Sequence, residues 1–175
     1  LDDVGLNPTR SGYLSRRERI GAQVELLGTT EPGGEPRGSL RVRHGGNARL
    51  DLGPDDIPGI IDELPVLAAL ATHGGELRVT GAAELRNKES DRITALAAGL
   101  RGLGGRVDEM EDGFHVFGDR RLQGGTADAA GDHRLAMAFA IAALGGTHPS
   151  EIHNAEAVDI SYPGFFDVLA SISQG

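Results

Sequence analysis

The strongest constraint on the fold of this chain is an internal repeat. Residues 65–79 (PVLAALATHGGELRV) run from an Ala- and Leu-rich helix through a glycine turn into a strand, and residues 138–152 (AFAIAALGGTHPSEI) follow the same order. A second pair, residues 20–25 and 103–108, shares a helix end, two small residues and the start of a strand. A repeated unit that contains a buried and an amphipathic helix predicts a layered α/β body with pseudo-symmetry.

Hydrophobic spacing places the individual elements. Within residues 57–118 the pattern predicts helix, strand, helix, strand and strand, and residues 134–144 (RLAMAFAIAAL) are apolar nearly all round, as in a buried helix. Further helices are predicted over about 9–20 and 162–172, and a strand over 23–28. These predictions depend on the following apolar residues: Ile93, Leu96, Leu100 and Leu103 at helical spacing, and the alternating pairs Leu40 with Val42, Leu77 with Val79 and Phe114 with Val116.

The repeat divides the chain into three parts. Residues 57–118 are predicted to be one complete unit, about 1–56 an incomplete first unit, and 119–175 the last unit. A length of 175 residues is enough for a real core. The chain begins without Met, already inside a predicted strand, so we expect it to be a fragment of a larger protein.

Composition excludes several classes of protein. The net charge of −9 argues against nucleic-acid binding, which requires a basic surface for phosphate contacts. Cysteine is absent and the six histidines show no metal-ligand spacing, so neither a disulfide nor a metal site is predicted. No apolar run approaches membrane-spanning length, so no membrane partner is expected. An acidic chain can still bind an anion where cations are gathered locally.

Charged residues crowd the start of the predicted helix at Ile93. Lys88 and Glu89 precede that helix, and Arg92 follows Glu89 at a spacing that places the two side chains together. Because a helix N-terminus carries partial positive charge, two cations there favour a phosphate or carboxylate ligand between them. Glu89, between two cations, would then be placed to move protons. The alternative is a solvated surface where the cations pair with Glu89 and Asp91.

Two further helix starts carry charge. Asp132, His133 and Arg134 open the most apolar helix, where an arginine is costly unless it is paired or bound to a ligand. Asp62 lies just before the helix that Pro65 begins. The alternatives are simple N-caps at Asp62 and Asp132, with Arg134 reaching solvent. If the repeat is real, equivalent helices run parallel and their starts converge on one positive, anion-binding surface.

These motifs resemble one known family. ELRNKESDRI followed by LGG, then DHRLAMA and a final SYPGFF, closely resemble the EPSP synthase family, the 3-phosphoshikimate 1-carboxyvinyltransferases, and GLNPTRSG and IPGIIDELP fit in the same order. The resemblance covers essentially the whole chain. It implies domains built from three βαβαββ units with pseudo-threefold symmetry around buried parallel helices, an inside-out α/β arrangement. It also implies that this chain is most of a C-terminal domain, without the N-terminal domain.

The resemblance implies an enolpyruvyl transfer. Phosphoenolpyruvate would donate its enolpyruvyl group to the 5-hydroxyl of shikimate 3-phosphate and release phosphate, a step of the shikimate pathway towards chorismate and aromatic amino acids. No metal or organic cofactor is implied, and the enzyme would be cytoplasmic and monomeric. Alone, the chain is expected to have little or no activity, since half of a cleft cannot enclose two anions.

The resemblance also assigns roles to residues. Asp62 resembles the carboxylate that binds and deprotonates the 5-hydroxyl, Lys88 the lysine beside that hydroxyl, and Glu89 the proton shuttle at the methylene carbon. Phosphoenolpyruvate would be bound by the arginines that match the family motifs, with a histidine beside them: Arg92, Arg134 and His133.

Two positions depart from the family pattern. Ile160 stands where some members carry a lysine that helps to bind phosphoenolpyruvate, and Glu84 stands where some have an asparagine. The rival interpretations are the related enolpyruvyl transferase that acts on UDP-N-acetylglucosamine, and a non-catalytic anion-binding module on the same scaffold.

Overall fold

Nine strands and four α-helices make up the described part of the chain, residues 1–7 and 20–173 of a computed structural model. The strands are β1 Val4–Gly5, β2 Ala22–Thr30, β3 Arg37–His44, β4 Arg49–Leu52, β5 Glu76–Val79, β6 Arg106–Met110, β7 Gly113–Phe117, β8 Gly125–Asp128 and β9 Ser150–His153. The α-helices are α1 Leu64–Ala71, α2 Arg92–Gly102, α3 His133–Ala143 and α4 Phe165–Ser173. Short 3-10 helices cover Pro32–Gly34, Ile57–Gly59, Ala83–Asn87 and Ala155–Ile160. Apart from Ile20, the helix predicted over about 9–20 lies outside the described residues.

Two β-α-β units of the same kind confirm the internal repeat. β4 and β5 are parallel neighbours joined through α1, with Leu50 opposite Leu77. β8 and β9 are also parallel and are joined through α3, with Ala127 opposite Ile152. The hairpin of β6 and β7 extends the first sheet to the order β4-β5-β7-β6. β4 lies ahead of the unit predicted at 57–118, so the structure adds a strand to that unit, and its boundaries stay a prediction.

Helix α2 ends where the sequence predicts, at a pair of glycines. The N–H of Gly105 donates to the carbonyl of Leu100 at 2.8 Å, and the N–H of Gly104 donates to that of Arg101 at 2.9 Å. Gly104 has a φ of +88°, which a residue without a side chain adopts easily. These are the two hydrogen bonds of a Schellman C-cap. The apolar face predicted for this helix is fully buried: Ile93, Leu96, Leu100 and Leu103.

A glycine lets α2 approach α3 closely. A Cβ atom built at Gly99 would lie 2.2 Å from Cζ of Phe139, a ring that is fully buried. No side chain fits that gap, so the separation of the two helices depends on a glycine here. The burial predicted for α3 is confirmed by these residues: Leu135, Ala136, Ala138, Phe139, Ala140 and Ala142.

The ends of the chain are less buried than its middle. β1, β2 and β3 form an antiparallel sheet, in which Leu40 is 7% exposed but Val42 is 52% exposed. The alternation of Leu40 and Val42 predicted strand β3 correctly, yet only Leu40 is buried. Helix α4 has no buried residue, and Ile172 is 72% exposed. Within the described ranges, no helix has the length and apolar character needed to cross a membrane.

Candidate functional site

Three helix starts meet at one end of the molecule, as the sequence predicts. Asp62 lies two residues before α1, Arg92 is the first residue of α2, and Asp132 caps α3. Because α1 and α2 both pack against α3, the charged groups at these starts come into contact. Five of them are joined by ion pairs or hydrogen bonds, and we call them the helix-start cluster: Asp62, Glu89, Arg92, Asp132 and Arg134.

Arg92 is the centre of the helix-start cluster and is almost fully buried. Its side chain is 1% exposed, its Nε lies 2.6 Å from Asp132 Oδ2, and its Nη1 lies 3.3 Å from Asp62 Oδ1. Its Nη2 donates to Glu89, the neighbour predicted from the sequence spacing. A guanidinium removed from water is costly unless such partners surround it. Three carboxylates from three parts of the chain therefore satisfy one buried cation.

Asp132 both caps α3 and holds Arg92. The side chain is fully buried, and its Oδ1 accepts a hydrogen bond of 2.9 Å from the backbone N–H of Arg134. Its Oδ2 accepts from Arg92, and the hydroxyl of Ser90 lies 3.4 Å away. The N-cap alternative is thus confirmed for Asp132, but capping is only half of what this carboxylate does.

Arg134 lies at the edge of the helix-start cluster beside an open cleft. Its side chain is 34% exposed, and its Nη2 lies 3.1 Å from Asp62 Oδ2 while its Nη1 donates to the Asp62 carbonyl at 3.2 Å. α1 begins without a side-chain cap, so the simple N-cap interpretation of Asp62 is wrong, and the carboxylate bridges two arginines instead. The cleft has a volume of about 380 Å³ and is lined by Pro58, Gly59, Ile60, Ile61, Asp62, Glu63 and Arg134.

Lys88 and His133 border the helix-start cluster without joining it. Lys88 follows the 3-10 helix Ala83–Asn87, and its Nζ turns back to pair with Glu84 four residues earlier. The sequence analysis expected Glu89 to lie between two cations. That expectation is wrong, because Lys88 pairs with Glu84 instead. His133 is the half-buried first residue of α3, and the described residues offer its ring no hydrogen bond or ion pair.

The helix-start cluster carries one more negative than positive charge, whereas the sequence predicted a positive surface. It contains three carboxylates and two guanidinium groups. The carboxylates take the positions on the guanidinium groups that an anionic ligand would otherwise occupy. An anion that takes the paired donors must therefore displace a carboxylate, and Asp62 on the partly exposed Arg134 is the one it reaches from the cleft.

A second carboxyl group, that of Glu63, lines the same cleft. Burial raises the pKa of Glu63 above its ordinary value, and the negative charge of Asp62 adds to that increase while Arg134 opposes it. Asp62, by contrast, forms direct ion pairs with both guanidinium groups. The two adjacent carboxyl groups therefore have different surroundings, which allows each to serve as a control for the other.

Sequence analysis named Asp91 only as an ion-pair partner and gave Arg86 no role, yet both residues organise this region. Asp91 caps α2 by accepting the backbone N–H of Thr94 at 3.1 Å, and Arg86 binds Asp91 through Nη1 at 2.8 Å. An Asp before an apolar helix is an N-cap pattern, so Asp91 could have been found. The pairing of Asp132 with Arg92 leaves no such signal, because 40 residues separate the two.

A larger cavity, of about 530 Å³, lies at the opposite ends of α1 and α3. Its lining includes His73, Arg120, Arg121 and Leu144, and none of the predicted site residues is part of it. The site predicted from the sequence therefore lies at the other end of these helices from this cavity.

The fold and the helix-start cluster together define an α/β repeat protein that gathers opposed charges where its helices begin. The chain belongs to the EPSP synthase family, because residues 1–169 match the family model described as EPSP synthase (3-phosphoshikimate 1-carboxyvinyltransferase). Proteins with that enzyme name are similar along nearly the entire chain. The relative from Halorhodospira halophila (strain DSM 244 / SL1) is 46% identical over 176 residues, which is 100% of this chain and 40% of the relative.

Two further comparisons agree. The 3-phosphoshikimate 1-carboxyvinyltransferase of Parasynechococcus marenigrum (strain WH8102) is 41% identical over 170 residues, covering 97% of this chain and 38% of that protein. A solved EPSP synthase of Acinetobacter baumannii superposes with a TM-score of 0.86 at 34% identity, over 98% of this chain and 40% of the other. The predicted fold class is thereby confirmed. The chain spans about 40% of the length of the curated relatives it matches.

Proposed function

We propose that this chain provides the C-terminal part of the active site of a 3-phosphoshikimate 1-carboxyvinyltransferase. In that reaction the enolpyruvyl group of phosphoenolpyruvate is transferred to the 5-hydroxyl of shikimate 3-phosphate, and phosphate is released. The observation that carries the proposal is the helix-start cluster, in which side chains from three separate helix starts are linked by ion pairs. Relatives that bear this enzyme name support the same conclusion.

The reaction needs separate groups to accept and to supply protons. The 5-oxygen of shikimate 3-phosphate bonds to C2 of phosphoenolpyruvate as its proton leaves, and a proton adds to C3. The tetrahedral intermediate then loses a proton from C3 while the bond from C2 to the phosphate oxygen breaks. We assign the hydroxyl proton to Asp62 and both C3 proton transfers to Glu89. Arg92 contacts both carboxylates, so the two functions stay distinct yet adjacent.

Phosphoenolpyruvate would be bound by Arg92 and Arg134. A guanidinium offers parallel donors that match a carboxylate or phosphate group, which is the strong form of a charged hydrogen bond. An anion that takes the donors of Arg134 also frees Asp62 from one of its partners, leaving this carboxylate available to the 5-hydroxyl. Lys88 would lie beside that hydroxyl and His133 beside the bound anion.

The remaining parts of the proposal concern what surrounds the site. A cleft that encloses two anions and excludes water requires a second domain, which we propose to be N-terminal to this chain. Where some family members place a lysine, this chain has Ile160, which is 82% exposed, so that contact is absent. The family resemblance supports a cytoplasmic, monomeric enzyme.

Phosphate release with both substrates tests the proposed function. The protein that includes the N-terminal domain should release phosphate, and this chain alone should not. The Glu89→Gln variant should lose at least about 100-fold in kcat, the lower end of what a positioned acid–base group contributes. Unchanged turnover in that variant would show that the helix-start cluster binds anions without taking part in the chemistry.

The same assay also tests the rival acceptor, UDP-N-acetylglucosamine. Phosphate release is measured with that compound in place of shikimate 3-phosphate, at matched concentrations. We expect none, because the relatives carry the shikimate enzyme name. Release with the nucleotide sugar alone would reassign the substrate.

A further inference from the structure

Arg86 lies outside the helix-start cluster and is the most heavily bonded side chain near it. Its guanidinium is 28% exposed, and it donates to two backbone carbonyls, those of Met110 at 2.8 Å and Glu111 at 2.7 Å. Both carbonyls belong to the tight turn between β6 and β7. The same group donates to Glu109 Oε1 at 3.3 Å. Arg86 therefore fastens its own segment to the tip of that hairpin.

The second attachment of Arg86 is the cap of α2. Its Nη1 lies 2.8 Å from Asp91 Oδ2 and 3.1 Å from the hydroxyl of Thr94. The hydrogen bond that Arg86 donates to Asp91 raises the pKa of Arg86 above its already high value. For Asp91, burial opposes the shift, but hydrogen bonds from Thr94 and Arg86 lower the pKa of its carboxyl below the ordinary value. One guanidinium thus ties the hairpin to the first turn of α2.

The segment between these attachments carries the proposed acid–base residues. Residues 81–91 are held on the same hairpin at their other end, where Asp112 Oδ2 accepts the N–H of Gly81 at 2.8 Å and its carbonyl accepts that of Ala82 at 2.7 Å. Lys88 and Glu89 lie between the Arg86 contacts and the Asp91 cap. Their backbone is therefore fixed from both sides, although neither touches the guanidinium of Arg86 directly.

We infer that Arg86 is a positioning residue for the proposed enolpyruvyl transfer, and that it holds the backbone of Lys88 and Glu89 in place beside Arg92, where Glu89 would exchange protons with C3 of phosphoenolpyruvate. The inference rests on the proposed function. A group that positions the acid–base residue affects the chemical step, because small displacements of reacting groups slow a reaction strongly. Substrate anions would be bound by Arg92 and Arg134, which have no bond to Arg86, so binding should change less.

The experiment compares Arg86→Gln with Arg106→Gln in the protein that includes the N-terminal domain. Arg106 is a matched control on β6: its Nη1 lies 2.9 Å from Asp119 Oδ2 and its guanidinium stacks 4.1 Å from the ring centroid of Phe117, away from the helix-start cluster. We expect Arg86→Gln to lower kcat roughly 10–100-fold, with both KM values changed less than about threefold. Arg106→Gln should keep kcat within about twofold. Equal kcat values in the two variants would overturn the inference.

Two further measurements keep the inference testable. Arg86→Lys retains the charge but cannot reach the hairpin carbonyls and Asp91 together, so its kcat should lie between those of Arg86→Gln and the unmodified protein. A kcat equal to that of the unmodified protein would overturn the need for a planar guanidinium. Hydrogen exchange of the amides of residues 88–92 should be faster in Arg86→Gln than in Arg106→Gln, whatever the turnover. Unchanged exchange contradicts the positioning role, whereas failure of the proposed function would appear as absent phosphate release in the unmodified protein.

Discussion

Arg92 and Arg134 stand at the starts of neighbouring helices and share one carboxylate, yet their surroundings are opposite. Arg92 is 1% exposed and contacts Asp62, Glu89 and Asp132. Arg134 is 34% exposed, and within residues 1–7 and 20–173 its ion pair is with Asp62. The same residue type thus forms the buried centre of the cluster in one case and its open edge in the other.

The difference separates stability from ligand binding. Removing the buried Arg92 leaves the fully buried carboxylate of Asp132 without its charged partner, and that loss is large. Removing a partly exposed cation costs little in folding, because water replaces it. An anion that enters the cleft can reach the donors of Arg134 by displacing Asp62 alone. We therefore expect Arg92 to dominate stability and Arg134 to dominate the response to ligand concentration.

The largest expected effect is the loss of stability on replacing the buried arginine, Arg92. Arg92→Gln should lower the free energy of unfolding by about 3–5 kcal/mol, because Asp132 then keeps its charge without its main partner in a site that water does not reach. Urea unfolding measures the loss. Arg134→Gln is the matched control and should cost less than about 1 kcal/mol. Equal losses would show that burial does not distinguish the two arginines.

The second effect concerns binding at the exposed side. Arg134→Gln should raise the KM for phosphoenolpyruvate roughly 10–150-fold, since a hydrogen bond to a charged group contributes about 1.5–3 kcal/mol. Steady-state kinetics at saturating shikimate 3-phosphate provide the measurement. The control Arg106→Gln should leave this KM unchanged. A KM that stays constant in Arg134→Gln removes this arginine from the anion site.

The third effect tests displacement of the shared carboxylate. Asp62→Asn should tighten the binding of phosphoenolpyruvate up to about fivefold, because the ligand no longer competes with an exposed ion pair of at most about 1 kcal/mol. Titration calorimetry without the second substrate measures the dissociation constant. Glu63→Gln removes the same charge from the same cleft without breaking an ion pair to Arg134, and it should have a smaller effect. Equal changes in the two variants would indicate general electrostatics rather than competition.

The smallest effect uses pH to examine a third ion pair, that of Asp91 with Arg86. The pKa of Asp91 is lower in the folded protein, so its contribution to stability is fully present above the unfolded pKa and is lost as the pH falls through the folded one. Asp91→Asn keeps the helix cap but loses the charge. The variant should be less stable at pH 7 by no more than about 1 kcal/mol, and this gap should close as the pH falls through the folded pKa of Asp91. A gap that widens at low pH reverses the assigned sign.

Much of the fold follows from local patterns in the sequence. The helix of Ile93, Leu96 and Leu100 has the face and the glycine cap that were predicted, and the apolar α3 is buried as expected. These predictions succeed because periodicity and capping act within a few residues. β4 was missed although its sequence, RLDL, alternates polar and apolar residues. Four residues are too few to predict a strand when its parallel partner, β5, is not known.

Most members of the helix-start cluster were predicted from the sequence, but of its ion pairs only that of Glu89 with Arg92 was. Asp62, Glu89, Arg92 and Arg134 are brought together as the repeat implied, because helices packed in parallel align their starts. Lys88 pairs with a residue four positions earlier, a competing contact that the spacing allowed but did not require. The charge balance of the cluster could not be predicted, since it depends on distant carboxylates that fold against the arginines.

The close contact of Gly99 with Phe139 also affects the charged residues at the start of α3. Packed interiors transmit strain, so even one methyl group beside the ring of Phe139 would shift α3 against α2. The first turn of α3 bears Arg134, five residues before Phe139, and its distance from Asp62 would change with that shift. The absence of a side chain at Gly99 thereby helps to keep Arg134 and Asp62 within ion-pair distance of each other.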